Sequence, residues 1–120
     1  MSNRVAISLT TGLEDPEKVT VAFLVALGAA EGGRPTTMFL TKEAVRLALG
    51  GVATGVACEG CPPLATLLER YAAAGGTFMV CPVCFNAKKL DDGELLPTAE
   101  LAGTVQLWEW IGDGATTFSY

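Results

Sequence analysis

No histidine occurs among the 120 residues of this chain. That absence removes the imidazole base of Cys-His and Ser-His relays. Basic residues are scarce as well. Eight Lys and Arg stand against thirteen Asp and Glu, giving a net charge of −5, and no basic cluster extends beyond Lys88-Lys89. Such a surface repels phosphate backbones, so nucleic acid is not expected as a partner. Long hydrophobic runs are also missing. The most apolar stretch, "VTVAFLVALGAA", is twelve residues, well short of the ~20 that cross a bilayer as a helix. No membrane association is expected. The opening "MSNRVAISLTTG" has neither the apolar core nor the small-residue cleavage site of a signal peptide, so a cytoplasmic protein is expected. Phosphate-cradling glycine motifs are absent too, neither G-x-x-x-x-G-K-[ST] nor G-x-G-x-x-G after a strand.

What the chain does have is apolar character and four cysteines. Half of its residues are apolar and its mean hydropathy is +0.40, so apolar surface should remain for partner subunits. Its length fits one domain over 1–120, able to bury roughly two-thirds of the surface that the unfolded chain exposes. Folding therefore requires no disulfide framework. In a reducing cytosol the cysteines read as thiols, metal ligands or redox groups rather than structural bridges.

The hydrophobic pattern alternates between strands and helices. "RVAISLT" (4–10) is β-prone, and Asp15-Pro16 then carries the signals of a helix start. Val19, Ala22, Phe23, Ala26, Leu27 and Ala30 recur at helical spacing until Gly32-Gly33, while Val21, Leu24 and Val25 make the other side apolar too. "PTTMFLT" (35–41) is a second strand, and Thr41 can cap a helix over 42–49. Residues 51–62 read as a loop. A helix over 63–74, a strand over 76–80, a helix over 98–112 and a last strand in "ATTFSY" complete the series. The acidic Glu14, Asp15 and Glu17 read as helix-start complements, and Asp91-Asp92 as a solvated turn.

Such alternation predicts an α/β fold: a single-domain three-layer sandwich with a mainly parallel sheet of four to five strands and helices on both faces. In open sheets of this kind, sites form beyond the carboxyl ends of the strands. The loops at 10–15, 41–43 and 81–88 share that edge. Within the helix over 98–112, Leu101, Ala102, Val105 and Trp108 form a stripe suited to the sheet. Leu107 and Trp110 then face outward, where a subunit contact is expected to cover them.

The cysteines come as two C-x-x-C pairs. Cys81 follows the strand over 76–80 and precedes Pro82, a residue suited to the first helical position. It is therefore expected as a helix N-cap, where free backbone N–H groups and the helix dipole favour a thiolate. Lys88 adds to that field if the segment curls back. With Cys84 the stretch could serve as a nucleophile with a second thiol, as a redox pair, or as two small buried hydrophobes. Cys58 and Cys61 supply C-x2-C-x19-C-x2-C together with Cys81 and Cys84, a spacing that fits a four-cysteine zinc site. Zinc is the one cofactor that the residues leave open, and a zinc-stabilised interaction subunit is the corresponding reading.

Over nearly its whole length the chain resembles the DsrE/DsrF-like family of small sulfur-relay proteins. The resemblance rests on the order and spacing of "DPEKVTVAFLVALGAAEGG", "TTMFLTKEAVRLALGG", "PPLATLLERYAAAGGTFMVCPVC" and "LLPTAELAG". It implies a parallel α/β fold, trimeric or hexameric assembly and, as in the characterised relay members, a cysteine persulfide passed between a sulfur donor and an acceptor protein. In those members the sulfur-carrying cysteine follows this strand and lies seven residues before an Arg-Gly pair. Cys81 holds that position, with Lys88-Lys89 in place of Arg-Gly. The expected site is thus Cys81 as sulfur acceptor, Cys84 as resolving or second thiol, and Lys88 as the nearby charge. A thiol–disulfide or redox-sensing module built on Cys81 and Cys84 is the alternative.

Overall fold

Five parallel strands form one sheet in the order β4-β3-β2-β1-β5. They are β1 (Val5–Leu9), β2 (Thr36–Leu40), β3 (Thr77–Val80), β4 (Ala99–Leu101) and β5 (Thr116–Ser119). The computed structural model describes residues 3–120, so the first two residues of the expected 1–120 domain lie outside the described ones. The register aligns Leu9 with Leu40 and Leu40 with Val80. The carboxyl ends of the three central strands therefore finish level.

Alternation along the strands sorts side chains onto two faces. Val5, Ile7, Leu9, Met38, Leu40, Phe78 and Val80 point into the main core, which is covered by α1 (Pro16–Glu31) and α2 (Leu64–Ala73). Phe23, Tyr71 and Phe78 meet there with ring centroids 5.2–6.3 Å apart. The Tyr71 hydroxyl donates to the Thr77 carbonyl at 2.7 Å, and burial holds that phenol far above its usual titration range. Helix α1 starts as expected: Pro16 takes its first turn and Asp15 Oδ1 accepts from the Lys18 amide at 3.1 Å.

The opposite face has a smaller cluster of Phe39, Met79 and Ala102, with Leu107 and Trp110 against it. Its cover is α4 (Thr104–Ile111), so helices lie on both faces. This end of the chain corrects the expected helix over 98–112. Residues 99–101 instead pair with β3 as the edge strand β4, and the helix begins after Gly103, whose amide donates to Gln106 Oε1 at 2.9 Å. The later start reverses the expected faces. Leu107 and Trp110 turn toward the sheet, while Val105 and Trp108 are 65% and 69% exposed. Arg4 secures the arrangement, with Nη1 donating to the Trp110 carbonyl at 2.7 Å.

The expected helix over 42–49 is a 3-10 segment, Lys42–Ala48, and Thr41 makes no side-chain capping bond to it. Its seven residues lie between extended Thr41 and extended Leu49, a longer run than the 3-10 form usually sustains. Among the described residues no helix is long and apolar enough to cross a membrane.

Candidate functional site

Each central strand hands its backbone pairing on to the residue that follows it. The Thr41 amide donates to the Leu9 carbonyl at 3.1 Å, and the Cys81 amide donates to the Leu40 carbonyl at 3.0 Å. Cys81 is thus held at the level edge where the strands end. Its backbone stays extended as the N-cap position of α3 (Pro82–Ala87), with Pro82 as the first helical residue. The expected capping contact is not made, because the thiol accepts no hydrogen bond from the helix amides. The Cys81 side chain lies instead against the Phe39, Met79 and Ala102 cluster, half-exposed.

Cys84 sits one turn into α3 and is also a free, half-buried thiol. It packs on the main core, beside which Phe85 is buried. One short helix therefore divides its two thiols between the two hydrophobic clusters of the protein.

Lys88 ends α3, and its ammonium reaches Glu43 Oε2 at 2.6 Å. Glu43 also accepts from Arg46 Nε at 2.9 Å. The Lys88 hydrogen bond first, and the Arg46 one second, hold the Glu43 carboxyl below the usual carboxylate range. The Lys88 charge thus goes to the 3-10 segment. The loop after β1 joins the same edge: a Cβ on Gly12 would stand 2.7 Å from the Glu43 carbonyl oxygen, so only glycine allows this approach. Glu14 Oε1 accepts from the Gly12 amide at 2.7 Å.

Beyond Lys88 the chain closes in a Schellman motif. Lys89 donates to the Asn86 carbonyl at 3.0 Å and Leu90 to the Phe85 carbonyl at 3.3 Å. Lys89 has φ +55°, a left-handed conformation that glycine ordinarily provides. The backbone turn expected of an Arg-Gly pair is kept although the glycine is not.

The four-cysteine arrangement is not formed. Cys58 and Cys61 are disulfide-bonded to each other, where thiols, metal ligands or redox groups were expected rather than a structural bridge. A local turn explains the pairing, since the Cys61 amide donates to the Cys58 carbonyl at 3.0 Å. Among the described residues no three Cys, Asp or Glu side chains gather as a metal site. Two cavities of about 330 Å³ each also lie elsewhere: one is bounded by Leu49, Ala53, Leu68 and Leu96, the other by Phe78, Glu100 and Trp110, and neither is lined by Cys81 or Cys84.

Glu43, Arg46 and Gly12 were not singled out by sequence. The Glu43–Arg46 pair has a local signal in its three-residue spacing. Nothing local joins Glu43 to Lys88.

The fold has solved relatives. The ychN protein from E. coli superposes with a TM-score of 0.80 at 18% identity, covering 100% of both chains. MTH1491 from Methanobacterium thermoautotrophicum, a protein of unknown function, gives 0.69 at 12% identity, over 99% of this chain and 100% of that one. BT1422 from Bacteroides thetaiotaomicron, a conserved protein of unknown function, gives 0.67 at 19%, over 98% and 95%. No curated protein sequence matches the chain. The model of the DsrE/DsrF-like family matches residues 3–120, and with a five-stranded parallel sheet of the same fold as these relatives, the chain belongs to the DsrE/DsrF-like family.

Proposed function

We propose that this protein carries sulfane sulfur as a persulfide on Cys81. The observation that supports it is the placement of a free, half-exposed thiol directly after β3, at the carboxyl edge of a parallel sheet, where the relay members of the family hold theirs. The Cys81 thiolate attacks the outer sulfur of a donor persulfide, R–S–SH. A new S–S bond forms, the donor S–S bond breaks, and R–S⁻ leaves and takes a proton. The reverse step on an acceptor thiol discharges the sulfur. Lys88 is a positioning residue in this reading, because its clasp to Glu43 fixes the end of the helix that Cys81 begins.

Sulfur donor and acceptor proteins are the partners of this reading, the compartment is the cytoplasm, and the working unit is a homo-oligomer, a trimer or a dimer of trimers. The exposed Val105 and Trp108 of α4 support the assembly, since tryptophan is enriched at interface cores. Its contact face is the reverse of that expected from sequence.

The test is mass spectrometry of the peptide spanning 71–88 after polysulfide treatment of the reduced protein. The expected result is a gain of about 32 Da per sulfur, lost in Cys81→Ser. An equal gain in Cys81→Ser overturns the proposal. A loss of about 2 Da on the same peptide, from a Cys81–Cys84 disulfide, favours the redox module instead.

A further inference from the structure

Residues 57–63 leave the body of the protein and return to it as a closed excursion. Its base is pinned where the Leu64 amide donates to the Val56 carbonyl at 2.9 Å, and both of those residues pack on the main core. The Cys58–Cys61 disulfide closes a smaller ring inside it. That ring rests on a turn with Gly60 at φ +76°, which brings the two Cα atoms to 5.1 Å, within the range that a disulfide spans without backbone movement. Glu59, Gly60, Pro62 and Pro63 are exposed, and both cysteines are half-exposed.

A bond in that place holds nothing together that is not already held. It cross-links residues three apart, the kind of bridge that removes least entropy from the unfolded chain. The excursion is closed at its base without it. The ring can therefore open and close while Val56 and Leu64 stay in the core. Exposed disulfides of this kind are the labile, regulatory or catalytic ones, and in a reducing compartment those that form are redox-sensing or catalytic.

We propose that Cys58 and Cys61 form a second sulfur site, separate from Cys81, that exchanges electrons with the dithiol of a partner protein. A partner thiolate attacks one sulfur of the pair, the Cys58–Cys61 bond breaks, and the other sulfur leaves as a thiolate and is protonated. The partner's second thiol then displaces the first sulfur from the mixed disulfide. In balance, the protein disulfide takes up two electrons and two protons to become two thiols, and the partner dithiol is oxidised to a disulfide. Gly60 sets the poise of the couple, because the ring-closing turn needs a left-handed residue.

The full-length protein is equilibrated in buffers of graded reduced and oxidised dithiothreitol, then quenched by alkylation, and the peptide spanning 47–70 is weighed. The expected result is a reversible passage from no alkylated cysteine to two, with the circular dichroism of the native fold unchanged throughout. A methyl group on Gly60 would meet nothing within 4 Å, so Gly60→Ala acts through backbone conformation alone. It should shift the midpoint ratio roughly tenfold toward the dithiol. Alkylation of both cysteines at every ratio, alkylation only after the fold is lost, or an unmoved midpoint in Gly60→Ala overturns the proposal. Cys81→Ser should leave this titration unchanged, so its outcome stands apart from that of persulfide loading.

Discussion

Lys88 and Glu43 meet at the carboxyl edge of the sheet, Nζ to Oε2 at 2.6 Å, so the end of α3 is tied to the 3-10 segment that follows β2. Arg46 holds the same carboxylate from the other side. The expected supporting charge near Cys81 is therefore spent on architecture.

This clasp should depend on acid. The folded protein holds the Glu43 carboxyl below its ordinary range, so its contribution to stability is present above the ordinary carboxylate value of the unfolded chain. It fades as pH falls through the lower folded value. Glu43→Gln should melt earlier than wild type at pH 7, and the gap should close as acid protonates the folded carboxylate. Melting curves from pH 7 into acid check it. A gap that stays constant with pH contradicts it.

Lys89→Gly should stabilise the protein. A left-handed lysine at φ +55° carries a penalty of about 1 kcal/mol that glycine avoids. The expected rise in melting temperature is roughly 4 °C, and a fall would show that the lysine side chain compensates for its backbone.

The two tryptophans of α4 should behave differently. Trp108 is 69% exposed, so Trp108→Asp should reduce the assembly mass seen by light scattering toward the 12.5 kDa of one chain with the fold intact. Trp110 lies on the sheet, and Trp110→Asp should lower stability by about 2–4 kcal/mol. A wild-type mass near 12.5 kDa would remove the oligomer from the reading.

Cys84→Ser should leave sulfur loading on Cys81 in place. Because Cys84 packs on the main core, the added hydroxyl should lower stability by about 1 kcal/mol. Loss of loading equal to that in Cys81→Ser would make the two thiols a single working unit.

Much of this protein was legible because period and punctuation are local. Helix α1 has the bounds that Pro16 and Gly32 predict, and β3 ends directly before Cys81 as the apolar run predicts. The edge strand β4 was hidden, because its short run also fits a helical stripe and only pairing with β3 decides between them. With Leu101 in a strand and α4 starting at Thr104, Val105 and Trp108 face outward while Leu107 and Trp110 face the sheet. The Cys58–Cys61 pairing was missed for a different reason: compartment chemistry and the C-x2-C-x19-C-x2-C spacing argued for thiols, redox groups or metal ligands, while the Gly60 turn puts the two residues side by side.

By itself the sequence determined the α/β alternation and the place of Cys81 at a strand end, since both follow from residue-to-residue periodicity and helix-start chemistry that act within a few positions. It also determined the net acidity and the absence of imidazole. Tertiary structure alone decided which sides of the two-thiol helix face which cluster, that Lys88 is bound by Glu43, and that Trp108 rather than Trp110 faces outward. Those outcomes depend on contacts between residues distant in the chain, and no local period encodes which distant surface a side chain will meet.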